Sequence, residues 1–541
     1  MSDINLLDCT LRDGGYVNSW HFGHNHIVSI FERLVSAKVE FIELGFLDER
    51  CAFDMNKSIA PDTESFNRIY AGLDKKNAQL VGMIDYGTCS IENVQPCGET
   101  VLDGIRVIFK KHMRRQAIDY CRQLKELGYK VFVQLVSITS YNDEELTDLI
   151  DMANELKPYA VSMVDTYGLL QQENLMHYFN ELNGRLDMEI SLGYHSHNNF
   201  QRAFANCTEM LSQQTDRSLL VDASIYGMGK SAGNCPIELL AMYLNDHFDK
   251  KYDLAQILEA LDANIMNIYK VKPWGYSMFF YIAALNNCHP SYVTYLMEKR
   301  KLSVKQINEI LDMLKEYGDR QLLYDKELIE KLYLDYQKQI DVDDAKDIWK
   351  LSRIFADRNV LLLGPGKSIE QEKDSIENYV KEYNPLIISV NYVSDELPVD
   401  FIFLSNAKRY VQLASSLLKK RNEIQVISTS NITAMNDQRF EFSLDISSLL
   451  DEEAEIIDNS FVMLLKVMIK IGVKNVTLAG FDGYIGQKWK DHVNESMGYE
   501  FSKEQAERLN KYVARVLSGM AAHLKVKFIT KSLYLEEMKM V

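Results

Sequence analysis

Three side chains in this 541-residue sequence have the types and the spacing to hold a divalent metal ion. Two are His195 and His197, in Gly193-Tyr194-His195-Ser196-His197-Asn198-Asn199. If this run is a strand, positions i and i+2 share a face, and both imidazoles aim at one point. The third is Asp13, in Leu6-Leu7-Asp8-Cys9-Thr10-Leu11-Arg12-Asp13-Gly14-Gly15-Tyr16, where an apolar run turns polar and then breaks on two glycines. Two imidazoles and a carboxylate with positions left open suit Mn²⁺, and also admit Mg²⁺, Zn²⁺ or Fe²⁺. A His-x-His pair alone also occurs in unrelated loops, so it gains meaning only if the fold brings its strand end beside Asp13. Glu43, Asp85 and Asp165 are further carboxylates at the ends of strand-like runs. Each is read either as a group supporting the site or as a buried structural hydrogen-bond partner.

The elements that must position these residues alternate eight times. Strands are expected at Asn5–Thr10, Val39–Phe46, Gln79–Tyr86, Gly104–Phe109, Lys130–Ile138, Ala160–Thr166, Glu189–His197 and Leu219–Tyr226, with helices between them. In His26–Lys38 the residues Ile27, Ile30, Phe31, Leu34 and Val35 fall on one helical face. In Asp143–Leu156 the residues Leu146, Leu149, Ile150 and Ala153 do the same, and Asn142 with Glu145 makes a capping pair. Eight such units over about 250 residues predict a TIM (β/α)₈ barrel, whose catalytic groups stand at the C-terminal strand ends. In a closed barrel, strand eight alone separates strand seven from strand one, so Asp13 faces the two histidines. An open doubly wound sheet would need a GxGxxG loop after its first strand, which Asp13-Gly14-Gly15 does not supply.

Bulk properties narrow the class. A hydrophobic content of 47% with 25% charged residues is ordinary for a globular chain. A net charge of −17 argues against general nucleic-acid binding. No apolar run reaches the roughly 18 residues of a membrane span, and no secretory signal opens the chain. The eight cysteines form no CxxC pair and are read as reduced thiols of a cytoplasmic protein. None lies beyond Cys288, which suggests that two modules of different origin were joined.

The run Asp8-Cys9-Thr10-Leu11-Arg12-Asp13-Gly14 resembles the opening motif of the pyruvate-type metal-dependent aldolase and lyase superfamily. The His-x-His run and the loop Gly227-Met228-Gly229-Lys230-Ser231-Ala232-Gly233-Asn234-Cys235-Pro236-Ile237-Glu238 follow in the superfamily's order, and Val164-Asp165-Thr166-Tyr167-Gly168 resembles its Asp-Thr-x-Gly element. Within that superfamily the chain is most similar to the 4-hydroxy-2-oxovalerate aldolases. The resemblance implies a C–C lyase that cleaves or forms 4-hydroxy-2-oxo acids through a metal-bound pyruvate enolate, with Mn²⁺ or Mg²⁺ as cofactor. It implies a small 2-oxo acid and an aldehyde as reactants, a place for Asn234 at or next to the metal, and charge stabilisation by Arg12. Where that family has a catalytic histidine three residues after the aspartate, this chain has Tyr16. A tyrosine with a pKa near ~10 is a poor base at neutral pH. His21 in the same loop is therefore expected to carry the proton, with Tyr16 donating a hydrogen bond. The alternative is a barrel that has lost catalysis and serves as a binding scaffold.

Beyond residue 252 the chain reads as helical to residue 357, with a stripe of Ile257, Leu258, Leu261, Ile265 and Ile268 and a helix Val304–Tyr317 capped by Ser303. This stretch is read as packing or an oligomer contact, and a homo-oligomer is expected. Residues 358–541 read as a Rossmann-like α/β domain. Val360-Leu361-Leu362-Leu363 leads into Gly364-Pro365-Gly366-Lys367-Ser368, and strands are expected at Leu386–Val390, Phe401–Leu404, Ile424–Ser428, Asn475–Ala479 and Lys527–Thr530. The turn is not a Walker A loop, because Leu361 stands where the first glycine is needed. With Leu478-Ala479-Gly480-Phe481-Asp482-Gly483-Tyr484, it resembles the nucleotide-binding half of sialyltransferase-like folds. On that reading Gly364, Gly366, Ser368 and Asn391 line a site for a nucleotide or nucleotide-sugar, and the chain is bifunctional. A tight structural turn is the other reading of the same residues.

Overall fold

The run Ile4–Asp8 is extended and buried as β1, and seven further parallel strands follow it: β2 (Phe41–Leu47), β3 (Gln79–Asp85), β4 (Gly104–Ile108), β5 (Lys130–Val136), β6 (Ala160–Asp165), β7 (Ser191–Ser196) and β8 (Leu219–Ala223). Each strand pairs with the next, and β1 pairs with both β2 (Leu7 beside Phe41) and β8 (Asp8 beside Ala223), which closes the barrel. All eight strands lie within three residues of their expected bounds. The computed structural model describes residues 3–299, 302–338, 342–394, 397–420, 422–434, 440–451, 454, 456–485 and 502–539. The chain forms two compact units, Met1–Val293 and Thr294–Val541. Among the described residues no helix is long and apolar enough to cross a membrane.

The barrel interior is built in layers. Leu7, Phe41, Val81, Phe132, Ala160 and Leu220 form an apolar cluster. Two residues further along β2, β5, β6 and β8, on the same face, stand Glu43, Gln134, Ser162 and Asp222, and β4 adds Arg106; all five are buried. The interior thus changes from hydrocarbon to charge as the strands run towards their C-terminal ends, where barrel enzymes work. A short strand, Ile59–Ala60, pairs beside β2. Next to it β2 carries a register irregularity between Glu43 and Phe46. Gly45 allows this, because a Cβ there would lie 1.7 Å from the Ser58 carbonyl oxygen. Such bulges re-aim side chains, here next to Glu43.

The helices wrap outside. Ile27, Ile30, Phe31, Leu34 and Val35 are the buried face of His24–Ser36, as their spacing predicts. Asp143–Leu156 starts with the expected capping box, with Asn142 Oδ1 accepting from the Glu145 amide at 2.8 Å. The stripe expected from Ile257 to Ile268 needs correction at Leu258, which is 52% exposed. A π turn over Leu261–Ile265 widens the helix and brings Ile257 and Ile265 to the buried side together.

The second unit contains the helix Val304–Leu314, capped by Ser303 and Gln306, and then an open parallel sheet. Its strands are β9 (Val360–Leu363), β10 (Leu386–Val390), β11 (Phe401–Leu404), β12 (Gln425–Thr429), β13 (Phe442–Leu444), β14 (Asn475–Ala479) and β15 (Lys525–Phe528). The spatial order is β13-β12-β11-β10-β9-β14-β15, so the winding reverses between β9 and β14. Val360 and Leu362 belong to one apolar cluster and Leu361 and Leu363 to another, so both faces are covered, as a parallel sheet requires. β13 was not expected, because three residues among polar neighbours carry too little pattern.

Candidate metal centre

Asp13 reaches the site through a turn rather than a straight strand end. β1 stops at Asp8, two residues short of expectation, and Thr10–Asp13 forms one buried helical turn. Thr10 holds that turn at both sides: its Oγ1 donates to Asp8 Oδ2 at 2.7 Å and accepts from the Ile225 amide at 2.8 Å. Arg12 and Asp13 are thereby turned inward, 5% and 1% exposed. His195 near the end of β7 and His197 just beyond it are also buried, with ring centroids 5.1 Å apart. One ligating atom each from Asp13, His195 and His197 lie within 4.8 Å of one another.

An unbroken chain of buried charges runs behind these three residues. Arg12 donates from Nη1 to Asp13 Oδ1 at 2.5 Å and from Nε to Glu43 Oε2 at 2.7 Å. Glu43 Oε1 pairs with Arg106 Nη1 at 3.1 Å, Arg106 Nη2 donates to Asp222, and Asp222 Oδ2 lies 2.9 Å from His195 Nδ1. The chain therefore starts at one candidate ligand and ends at another. Facing a carboxylate, His195 Nδ1 carries the proton, which leaves the Nε2 lone pair for a metal. The same logic holds for His197, whose Nδ1 lies 3.3 Å from the Gly233 carbonyl. Burial pushes the His197 imidazole down to about 3 despite the pull of Asp13, so it is neutral, as a ligand must be. Burial alone would raise Asp13, but the Arg12 guanidinium and the hydrogen bond from the Lys230 amide hold it well below the usual carboxylate range. Three carboxylates against two guanidinium groups leave one negative charge in a closed interior, which a divalent cation offsets.

Asn234 and the loop after β8 close the other side. Asn234 Nδ2 and the Lys230 amide donate to Asp13 Oδ2 at 2.9 and 3.0 Å. Among the described residues Asn234 Oδ1 is buried with no hydrogen-bond partner, an acceptor left open beside Asp13. A Cβ at Gly229 would lie 2.4 Å from Asn234 Nδ2 and 2.5 Å from Asp13 Oδ2, so only glycine lets the loop sit this close. Donor set, charge balance and the open acceptor all fit a divalent metal with oxygen and nitrogen ligands.

A family model described as HMGL-like matches residues 3–263, the span of this barrel and its site. That match takes in 261 of the chain's 541 residues, and it is through the barrel that the chain is similar to the HMGL-like family. Relatives of the chain include an oxaloacetate decarboxylase of Mycobacterium tuberculosis, 26% identical over 56% of this chain and 89% of that protein. Others are 4-hydroxy-2-oxovalerate aldolase 2 of Salinispora arenicola, 26% identical over 48% of this chain and 73% of that protein, and the 4-hydroxy-2-oxovalerate aldolase of Spirochaeta aurantia, 25% identical over 58% and 96%. The family identifies the barrel as a carbon–carbon lyase of the aldolase type.

The other expected residues are distributed unequally. Glu43 is the link between Arg12 and Arg106. Tyr16 packs against Trp20 and Phe46 at ring-centroid distances of 4.9 and 6.1 Å; burial around its hydroxyl and the nearby Asp13 push it up to about 12, although 39% of the residue is exposed. Asp85, half-buried at the end of β3, is raised by burial against the pull of Lys110, Arg50 and Lys230. Asp165 turns into its own loop, accepting from the Leu169 and Leu170 amides at 2.7 and 3.1 Å. His21 is exposed, its backbone bridged to Lys57, and it is not one of the imidazoles gathered at Asp13. Arg106, Asp222 and Lys230 were not anticipated. Their signal was a charged residue inside a strand or glycine-rich loop with no surface to face.

In the second unit the amides of Gly364 and Gly366 donate to the carbonyls of Ala479 and Gly480, both at 2.8 Å. The Ser368 amide donates to Asp482 Oδ2 at 2.8 Å, so a carboxylate of the chain itself stands where an anion would bind. Asn391 joins strand ends, donating to Ser460 Oγ at 2.8 Å and accepting from the Ser405 amide at 3.1 Å.

Asp222 supplies the first test. Asp222→Asn keeps the volume but removes the charge that orients His195. Divalent-metal affinity is expected to fall by about 10–100-fold, the usual effect of losing such an orienting partner. Titration of Mn²⁺ by its electron paramagnetic resonance signal checks this, and unchanged affinity would detach Asp222 from the metal.

Proposed function

We propose that the barrel is a divalent-metal-dependent aldolase that cleaves or forms the C3–C4 bond of a 4-hydroxy-2-oxo acid. The observation that carries this reading is the buried trio Asp13, His195 and His197, with Asp13 and His195 joined by one charge network. When bound there, a divalent ion supplies Lewis acidity to the keto group of a 2-oxo acid. Mn²⁺ is the proposed ion, with Mg²⁺ next. Arg12 presents a fixed guanidinium to the negative charge that develops on the keto oxygen as the C3–C4 bond breaks. Its Nη1 and Nε donate to Asp13 and Glu43, and Nη2 is the nitrogen that neither carboxylate holds. Tyr16, pushed up to about 12, stays protonated and donates a hydrogen bond instead of removing a proton. The 4-hydroxyl proton must leave to a base, and His21 fills that role only if its loop folds over bound substrate. The relatives' names agree with the reaction class, since an aldolase and a decarboxylase of 2-oxo acids both break a bond beside the carbon that gains charge.

The test is turnover of 4-hydroxy-2-oxo acids with Mn²⁺, following pyruvate release. Activity that is lost in chelator and restored by Mn²⁺ is expected. A chain that binds Mn²⁺ but cleaves none of them removes the aldolase reading and leaves a binding scaffold. Turnover of His21→Ala within about twofold of wild type would return the base role to another group.

A further inference from the structure

We propose that Lys230 binds a second anionic group of the substrate, so that the enzyme acts on 2-oxo acids with a charged far end. The inference rests on the metal-dependent 2-oxo acid reading above and names its substrate class.

Lys230 starts at the centre of the site, because its own amide donates to Asp13 Oδ2 at 3.0 Å. Its ammonium then lies over the Tyr16 ring, 5.4 Å from the centroid. The residue is only partly accessible, and burial pulls its charge down while Asp13 and Asp85 support it. Yet among the described residues no carboxylate lies within ion-pairing distance of Lys230 Nζ, and the group it rests on is the uncharged Tyr16 ring. Other cations of the site are tied up: Arg12 between Asp13 and Glu43, and Arg106 between Glu43 and Asp222. A partly desolvated ammonium at the mouth of an anion-binding site, without a counter-ion of its own, is matched by a carboxylate that arrives with the ligand. Packing of the lysine stem on Tyr16 explains its position but not why a charge is kept there. A neutral substrate tail would leave that charge unpaired in the closed complex, and a second carboxylate would not.

Two probes of equal chain length separate these cases: 2-oxoglutarate, which ends in a carboxylate, and 2-oxopentanoate, which ends in a methyl group. Calorimetric titration of the Mn²⁺-loaded enzyme should show 2-oxoglutarate binding about 10–100-fold more tightly, the range of one charge-assisted hydrogen bond. Lys230→Met should abolish the preference and Lys230→Arg should keep most of it. Every substitution retains the amide bonded to Asp13, and Lys230→Gln serves as a second neutral variant if the methionine variant is unstable. Equal binding of both probes by the wild type, or a preference that survives in the neutral variants, overturns the role of Lys230 and leaves the metal-dependent reading intact. Failure of the wild type to bind Mn²⁺ at all overturns both.

Discussion

Asp13→Asn is expected to lower metal-dependent turnover by about 10³-fold or more, the several kcal/mol that a Lewis acid contributes to such a transition state. Asp13 is the single carboxylate of the trio, the other two members being imidazoles. Both of its oxygens are engaged. Oδ1 accepts from Arg12, and Oδ2 accepts from the Lys230 amide and Asn234 Nδ2. An asparagine has nearly the same shape but must turn its amide group towards one of these donors, so one side of the site is left with donors facing donors. Arg12 also loses one of its two carboxylates. The effect is checked without turnover as well: Mn²⁺ should raise the unfolding temperature of the wild type by mass action and not that of the variant. A variant with wild-type Mn²⁺ affinity and turnover would remove Asp13 from the metal site.

Arg106→Leu is the second large effect, and it is one of stability. Arg106 is fully buried between Glu43 and Asp222, themselves fully buried. Removing the guanidinium leaves two carboxylates sharing a closed interior with one cation fewer. Breaking a buried pair by deleting one partner costs about 3–5 kcal/mol, a large part of the 5–15 kcal/mol that keeps a domain folded. Arg106→Lys should rescue little, because one ammonium cannot bridge two carboxylates as the planar fork does. Adding Asp222→Asn to Arg106→Leu should be less damaging than the two separate effects combined, since it removes one of the stranded charges. Hydrogen exchange of the β3–β5 amides reads the barrel independently of the second unit. A loss below about 1 kcal/mol would show that the network relaxes around the gap.

The barrel was legible because its strands are apolar runs bounded by polar turns, and closure followed from the count of eight. The trio was legible because His195 and His197 are two apart at one strand end, and the closed order puts Asp13 near them. Arg106 and Asp222 were not, because a lone charge in Gly-Ile-Arg-Val-Ile or Leu-Leu-Val-Asp-Ala looks like the outward half of an alternation until register shows that it faces inward. The Thr10–Asp13 turn is too short for any periodicity to mark. Asp482 beside Ser368 lies 114 residues away in sequence, and no local pattern connects them.

Barrel closure also governs when the site comes into being. Asp13 meets the Lys230 amide and the Asn234 side chain across 217 and 221 residues of chain. A nascent chain that ends before β8 holds Arg12, Asp13 and Arg106 but lacks Asp222, Lys230 and Asn234. Arg106 then has Glu43 but not Asp222, and Asp13 has Arg12 but not the donors of the loop after β8. Bringing such distant segments together carries a large loop-closure entropy, and it comes late, as contacts of high sequence separation do. The contact that completes the cylinder is the one that completes the metal pocket, so the chain gains its reactive centre in the same event that makes it a finished fold.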